Sequence, residues 1–388
     1  MNNVLLKDKK MVRANLHILA DSLNNIAFQK GHKITVGFDG FVDEIIAVVD
    51  KRQSFDKYQR IETIEQFGDR ISRSANLSTN IELVPEIVKL GGNGPIMANA
   101  LCRMGQHISY IGALGWPDIH PVFQDLAVNC QQVISFAEPA HTDALEFNDG
   151  KIMLGKLASL NSITWENLCQ SAGLDTVRSL FTEADLVAAV NWTMIPYMNQ
   201  LWHNLLEFAA EQQFSTRPIF FVDLADPEKR SQKDIQLALE YIQGFSRYYN
   251  VVLGLNRKEA SEIARVIGLR LSREPDRVTI AEITQALADR LDLWCLVVHS
   301  VKDAAAVGAG EYSYIQGPYC EKPKLTTGAG DNFNAGFCLG LLLELPLTSV
   351  LSLAKAASGF YVRNGFSPNL IQLQEFTDLW LNKIDISF

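Results

Sequence analysis

The chain has 388 residues, 47% of them apolar, enough for one large α/β domain or two smaller ones with a real core. Its net charge of −9 argues against nucleic-acid binding, which draws its affinity from Lys and Arg on phosphates. A nucleotide is not excluded, because it needs only a local positive site.

Six cysteines (Cys102, Cys130, Cys169, Cys295, Cys320 and Cys338) are scattered without CxxC spacing. They imply no zinc site and predict reduced, mostly buried thiols, as in a cytoplasmic protein. No run approaches the length of a membrane span. The segment around Lys7, Lys9 and Lys10 lacks the apolar stretch and cleavage site of a signal peptide.

In chain order, Leu16, Leu19, Leu23 and Ile26 recur at helical spacing, predicting an amphipathic helix over residues 8–30, capped at Gly31. Residues 33–42, KITVGFDGFV, read as the first buried strand of a parallel sheet. Residues 50–82 are a polar, mixed insertion with room for a mobile loop. In GGNGPIMANALCRMG, Gly91 and Gly92 allow close backbone approach, Pro95 suits the first position of a helix, and Gly105 ends it. Residues 108–115 read as the next strand. Short alternating segments fill residues 130–160, with Asn148, Asp149 and Gly150 as a hairpin signal.

Beyond residue 160 the strand-like runs DLVAAVNW, PIFFVDLAD, NVVLGLN and LWCLVVHS alternate with helical segments. That alternation predicts a doubly wound, mostly parallel sheet with its ligands beyond the C-terminal strand ends. Asp43, Asn93, Asn256 and Asp331 all fall just after strands or at helix starts, consistent with one shared crevice. Asp223, Asp226 and Arg230 follow one strand, where turn chemistry explains the acids. Asn256 and Glu259 have the spacing of a capping box. His299 ends another strand, a position more often structural than catalytic. No G-x-G-x-x-G follows a strand, and there is no Walker A motif, so a dinucleotide oxidoreductase is disfavoured.

The most informative stretch is TTGAGDNFN, Thr326 to Asn334, followed by an apolar helical run. Glycines ahead of a helix expose N–H groups at the positive end of its dipole, which makes an anion site. A carboxylate there either caps the helix or takes a proton from a hydroxyl attacking a phosphate.

TTGAGDNFNAGF strongly resembles the C-terminal signature of the ribokinase or PfkB family of carbohydrate kinases, and GGNGPIMANALCRMG resembles its N-terminal signature. The resemblance implies a ribokinase-like α/β fold: a doubly wound, mostly parallel sheet flanked by helices, with a small β lid. One kinase domain would span residues 1–388. Residues 1–32 would form an extra N-terminal helix, and about 44–88 and 130–160 the lid and insertions.

The activity implied is ATP-dependent phosphorylation of a small sugar. Asp331 would be the catalytic base, with Gly328, Ala329 and Gly330 forming the anion hole. Asp43, with Asp39 as second candidate, would hold the sugar together with Gly92 and Asn93. Asn256 and Glu259 would place Mg²⁺ through water, and Thr327 and Asn364 would lie beside the nucleotide, with Ala357 and Ser358 as neighbours. Lid edges in this family often pair, which points to a homodimer.

Three departures stand out. Ile96 replaces an expected sugar-binding Asn, and SVKDAAAV replaces a glycine-containing turn near the nucleotide. Leu325 replaces an Asp that helps bind a monovalent cation, which implies weak K⁺ activation or none. Two other readings stay open: a nucleoside kinase, and a non-catalytic sugar- or nucleotide-sensing protein on a kinase scaffold.

Overall fold

The computed structural model describes residues 12–23, 31–308 and 310–383. Fourteen strands run through them: β1 (Lys33–Phe38), β2 (Phe41–Arg52), β3 (Tyr58–Arg60), β4 (Leu83–Gly91), β5 (His107–Gly112), β6 (Gln132–Ser135), β7 (Ala140–Phe147), β8 (Gly150–Lys156), β9 (Leu186–Ala189), β10 (Ile219–Asp223), β11 (Asn250–Asn256), β12 (Cys295–His299), β13 (Asp303–Gly308) and β14 (Glu311–Gln316). Nine of them form one sheet in the order β14-β13-β12-β11-β10-β9-β1-β5-β6. It is parallel from β6 to β12, and the β12-β13-β14 edge is antiparallel.

Both faces of this sheet are covered, which is why its strands read as unbroken apolar runs. On β10, Phe220 and Val222 enter one core with the helices Met198–Ala210, Gln232–Phe245 and Ile280–Leu291. Ile219 and Phe221 point to the other, with the helices Asn93–Arg103, Ala329–Leu342 and Leu347–Asn364. The alternation is the period of two that a pleated strand imposes. Residues 12–23 are helical, and Val12, Leu16, Leu19 and Leu23 pack into that second core. Ile26 and the end of this helix lie outside the described residues.

The run 33–42 is two strands rather than one. β1 lies in the large sheet and β2 in a second, smaller one, and Asp39 and Gly40 carry the chain between them. Gly40 has no alternative, because a Cβ there would overlap the Ala113 carbonyl. The small sheet has the order β3-β2-β7-β8, with β4 antiparallel to β2. The β7–β8 hairpin turns through Asn148 and Asp149, with Phe147 opposite Gly150, as the sequence predicts. The helix Ile64–Ser72 sets Ile64 and Phe67 against Ile46, Val48, Leu145 and Phe147, giving this sheet its own small core.

Two local expectations change. β6 pairs with β5 and extends the large sheet, so residues 132–135 are not lid strands. Pro95 takes the third position of the helix Asn93–Arg103, still within the first turn, where no backbone donor is needed. The cysteines are free: Cys295 and Cys338 are buried and the other four half-buried. No helix among the described residues is long and apolar enough to cross a membrane.

Candidate active site

Two helix N-termini meet where the small sheet joins the large one. The first belongs to Asn93–Arg103. Gly92 precedes it at φ 94°, a conformation that suits glycine. Asp39 supplies the cap that Gly92 lacks. Its carboxylate accepts from the backbone N–H of Asn93 (2.9 Å) and Gly94 (2.8 Å), and from Asn191 Nδ2 (2.6 Å). Asp39 is wholly buried, and burial raises its pKa to about 6 against those bonds.

The second N-terminus belongs to Ala329–Leu342. Gly328 at φ 93° is the residue before it, so Asp331 lies inside the first turn and does not serve as the cap. Asn93 Nδ2 donates to Asp331 Oδ1 at 2.8 Å, joining the two helix starts. Asp331 is 6% exposed. Its pKa is pushed well up, first by burial and then by the Asp223 charge, against the Asn93 bond. The first N–H groups of this helix have no intrahelical acceptor; that of Ala329 donates back to Thr326 O at 3.1 Å.

Asp43 approaches from the small sheet. It sits on β2 between Lys89 of β4 and Thr142 of β7, its cross-strand partners. Burial raises its pKa; the Lys89 charge and the Thr142 hydrogen bond oppose that. A Cβ on Gly91 would collide with the Asp43 carboxylate, so glycine there is what lets Asp43 lie against the strand end. Tyr361 feels the charge of both acids. Its hydroxyl donates to Thr327 O at 2.8 Å, and its pKa is raised by burial and then by the Asp331 and Asp43 charges.

A second acidic group adjoins Asp331. Asp223 accepts from Asn334 Nδ2 (2.7 Å) and Ala225 N (2.9 Å), and burial lifts it to about 6. Glu259 completes a capping box with Asn256 and also accepts from Asp226 N at 3.0 Å. Burial, and then the Asp223 charge, raise Glu259 to about 8. Between its unfolded and its folded pKa such an acid is protonated in the folded state and ionised in the unfolded chain, so its stabilising effect is full below the unfolded pKa and lost as pH rises through the folded value. Relative to Glu259→Gln, the ligand-free protein should therefore lose about 2 kcal/mol of stability between roughly pH 6 and pH 9. Urea unfolding of both proteins across that range checks it; parallel pH profiles would refute it.

Beside the Gly328–Gly330 turn opens a cavity of about 410 Å³. It is lined by Asn256, Val301, Thr326, Gly330, Ser358 and Val362 among others. Not every expected neighbour reaches it. The Thr327 carbonyl is taken by Tyr361, and Thr326 lines the wall instead. The Asn364 amide turns back to Phe360 O at 2.8 Å, and buried Ala357 packs near Gly336. His299 stacks on Phe333 at 4.5 Å, and burial, then the Lys355 charge, drops its pKa to about 3, fixing it as a neutral wall. Arg230 lies over Trp192 and donates to Pro196 O, away from the cavity.

Comparisons with known proteins bear on the family and the fold. Residues 16–380 match the family model for prokaryotic ketohexokinase. The chain belongs to that family. This ketohexokinase-family chain is 29% identical to the ketohexokinase of Haloferax volcanii over 357 residues, covering 92% of the chain and 93% of that relative. Among solved structures, adenosine kinase from Sinorhizobium meliloti superposes with a TM-score of 0.62 at 17% identity, covering 90% of this chain and 99% of that one. Ribokinase from Thermotoga maritima gives 0.59 at 14%, covering 90% and 100%. These two share the ribokinase fold. The family member described here is a carbohydrate kinase that uses ATP to phosphorylate a small-molecule sugar.

Among the site residues absent from the sequence reading are Asn191, Asn334, Tyr361 and Lys355. Asn191 carried a signal: a polar residue just after a strand, able to take the left-handed φ of 60° it adopts. The other three lie inside helical runs whose pattern reads as packing.

Proposed function

We propose that the sugar is a ketohexose and that Asp331 is the base that takes the proton from its attacking hydroxyl. The observation that carries this is the buried Asp331 carboxylate, tied to Asn93 and set at the mouth of the Gly328–Gly330 turn. A hydroxyl between Asp331 and Asp43 is deprotonated as its oxygen attacks the γ-phosphorus. The N–H groups of Gly328 and Gly330 receive the charge that develops on the transferring group, while that of Ala329 is held by Thr326 O. Asp331, with its raised pKa, is a stronger base than an ordinary carboxylate. Thr142 and Lys89, flanking Asp43, complete the sugar side, where Ile96 supplies only an apolar wall.

Magnesium fits the residues at the nucleotide end. The donors there are all oxygen: Asp223 and Glu259 are buried and short of positive charge, and buried Asn334 Oδ1 has no hydrogen-bond partner. Glu259 would hold Mg²⁺ through water, with Asn256 and Asp223 nearby, and the ion would supply positive charge to offset that of the phosphates. Lys258 already occupies the nearby group of Asp226, Glu228 and Glu262. We also infer a cytoplasmic homodimer, paired through the exposed Ile87 and Val88 of β4 and Met153 and Leu154 of β8.

ADP release across ketohexoses, aldoses, pentoses and nucleosides is the test, with and without K⁺, on samples sized by sedimentation. The highest kcat/KM should fall on a ketohexose, without K⁺ activation, in a dimer. A nucleoside preferred over every sugar would overturn the substrate, and a monomer would overturn the pairing.

A further inference from the structure

Three cationic side chains line the cavity beside the Gly328–Gly330 turn: Arg257, Lys258 and Lys355. Two are committed to other protein groups. The Arg257 guanidinium donates to the carbonyls of Pro275 (2.8 Å) and Val278 (2.7 Å) and to Ser261 Oγ. Lys258 is surrounded by the carboxylates of Asp226, Glu228 and Glu262.

Lys355 is different. It is 5% exposed, and its Nζ donates to two neutral acceptors, the backbone carbonyls of Ser300 (2.9 Å) and Val301 (3.2 Å). Among the described residues it forms no ion pair. An ammonium has three N–H donors, so one remains, and Asp303 acts on the charge without forming an ion pair with it. A charge removed from water without a counter-charge is destabilising, and proteins keep one mainly where a ligand balances it.

The surroundings are shaped to hold this group. Gly317 has no side chain, and a Cβ there would overlap the Lys355 stem, so glycine opens the passage the lysine uses. Burial lowers the Lys355 pKa to about 8, partly opposed by Asp303, which leaves it mostly charged at neutral pH. His299, the titratable neighbour on the cavity wall, is neutral and offers no counter-charge. That ring also measures the distance to the anion turn. A Cβ on Gly330 would stand 3.7 Å from His299 Cε1, and His299 in turn feels the Lys355 charge. The ammonium and the turn line the same cavity, with the His299 ring on its wall.

We propose that Lys355 receives the phosphate chain of the bound nucleotide, forming with the Gly328–Gly330 turn a cradle that grips the anion at two points. This rests on the reading that the 410 Å³ cavity takes ATP. The turn holds the phosphoryl group being transferred, and Lys355 holds the part of the polyphosphate that stays behind. Lys355 thus contributes to binding in both ATP and ADP.

Calorimetric titration of the full chain with ADP and with adenosine, in EDTA, tests this on Lys355→Met. ADP affinity should fall about tenfold or more and adenosine affinity by less than about threefold, because only ADP carries the charge that Lys355 meets. Equal losses for both ligands would reduce Lys355 to a brace for the Ser300–Val301 turn, and unchanged ADP affinity would remove it from the site. Retained sugar binding shows that a variant is folded, and Lys355→Gln repeats the comparison should the Met variant fail to fold. Ser358→Trp separates the parent reading, since filling the cavity should abolish both ligands. If both bind the filled variant as before, the nucleotide lies elsewhere and the cradle fails with it.

Discussion

Asp331→Asn should lower kcat by about a thousandfold, with sugar and ATP affinities within a few-fold of the parent. The substitution is nearly isosteric, and Asn93 Nδ2 can still donate to the new amide oxygen, so the bond between the two helix starts survives. What disappears is the proton acceptor. The variant also loses a carboxyl whose ionisation burial, Asp223 and Asp39 all oppose, so it should unfold at the same temperature or higher. Opposite signs for rate and stability distinguish a missing base from a damaged fold. Steady-state kinetics together with a thermal melt check both. A kcat within tenfold of the parent would assign the proton elsewhere.

Asp39→Ala should destabilise the protein by about 3 kcal/mol, and two effects of similar size decide it. Removing the carboxylate relieves a burial penalty, visible as the rise of its pKa to about 6, which corresponds to about 3 kcal/mol. Against this, three donors lose their acceptor at once: the N–H groups of Asn93 and Gly94 and the Asn191 amide. Each lost charge-assisted bond costs about 1.5–3 kcal/mol, and a buried orphan donor costs more where water cannot replace the oxygen. The donors win. Asn93 would then lose its anchor and its hold on Asp331, so kcat should also fall about tenfold or more. Urea unfolding checks the stability. A loss under about 1 kcal/mol would mean that water takes over the cap.

This contrast bears on what could be read from the residues alone. Asp39 and Asp43 stand four apart after one strand-like run, and nothing local separates their roles. The structure does: Asp39 is saturated by protein donors, while Asp43 lies among lid side chains next to Gly91. The GAGD turn, the Asn256–Glu259 box, the Asn148–Asp149 hairpin and the alternation of strands with helices are legible because each depends on neighbours within a few residues. The division of residues 33–42 between two sheets is not, since it depends on the Ala113 carbonyl some seventy positions away. β6 was taken for lid for a similar reason: a four-residue edge strand has the same pattern in either sheet. Lys355 was hidden because a lysine in an amphipathic helix ordinarily points to water.

The passage through Asp39 and Gly40 limits how this enzyme can be remade. Residue 40 admits no side chain and residue 39 no other acid–amide balance, so neither position is free to drift toward a new substrate. Diversification has to use the strands beyond them, where Lys89 and Thr142 can be exchanged on a face whose backbone partners stay paired. A library confined to those lid positions would sample sugars at little risk to folding, whereas one that included the junction would consist mostly of chains that never assemble a site.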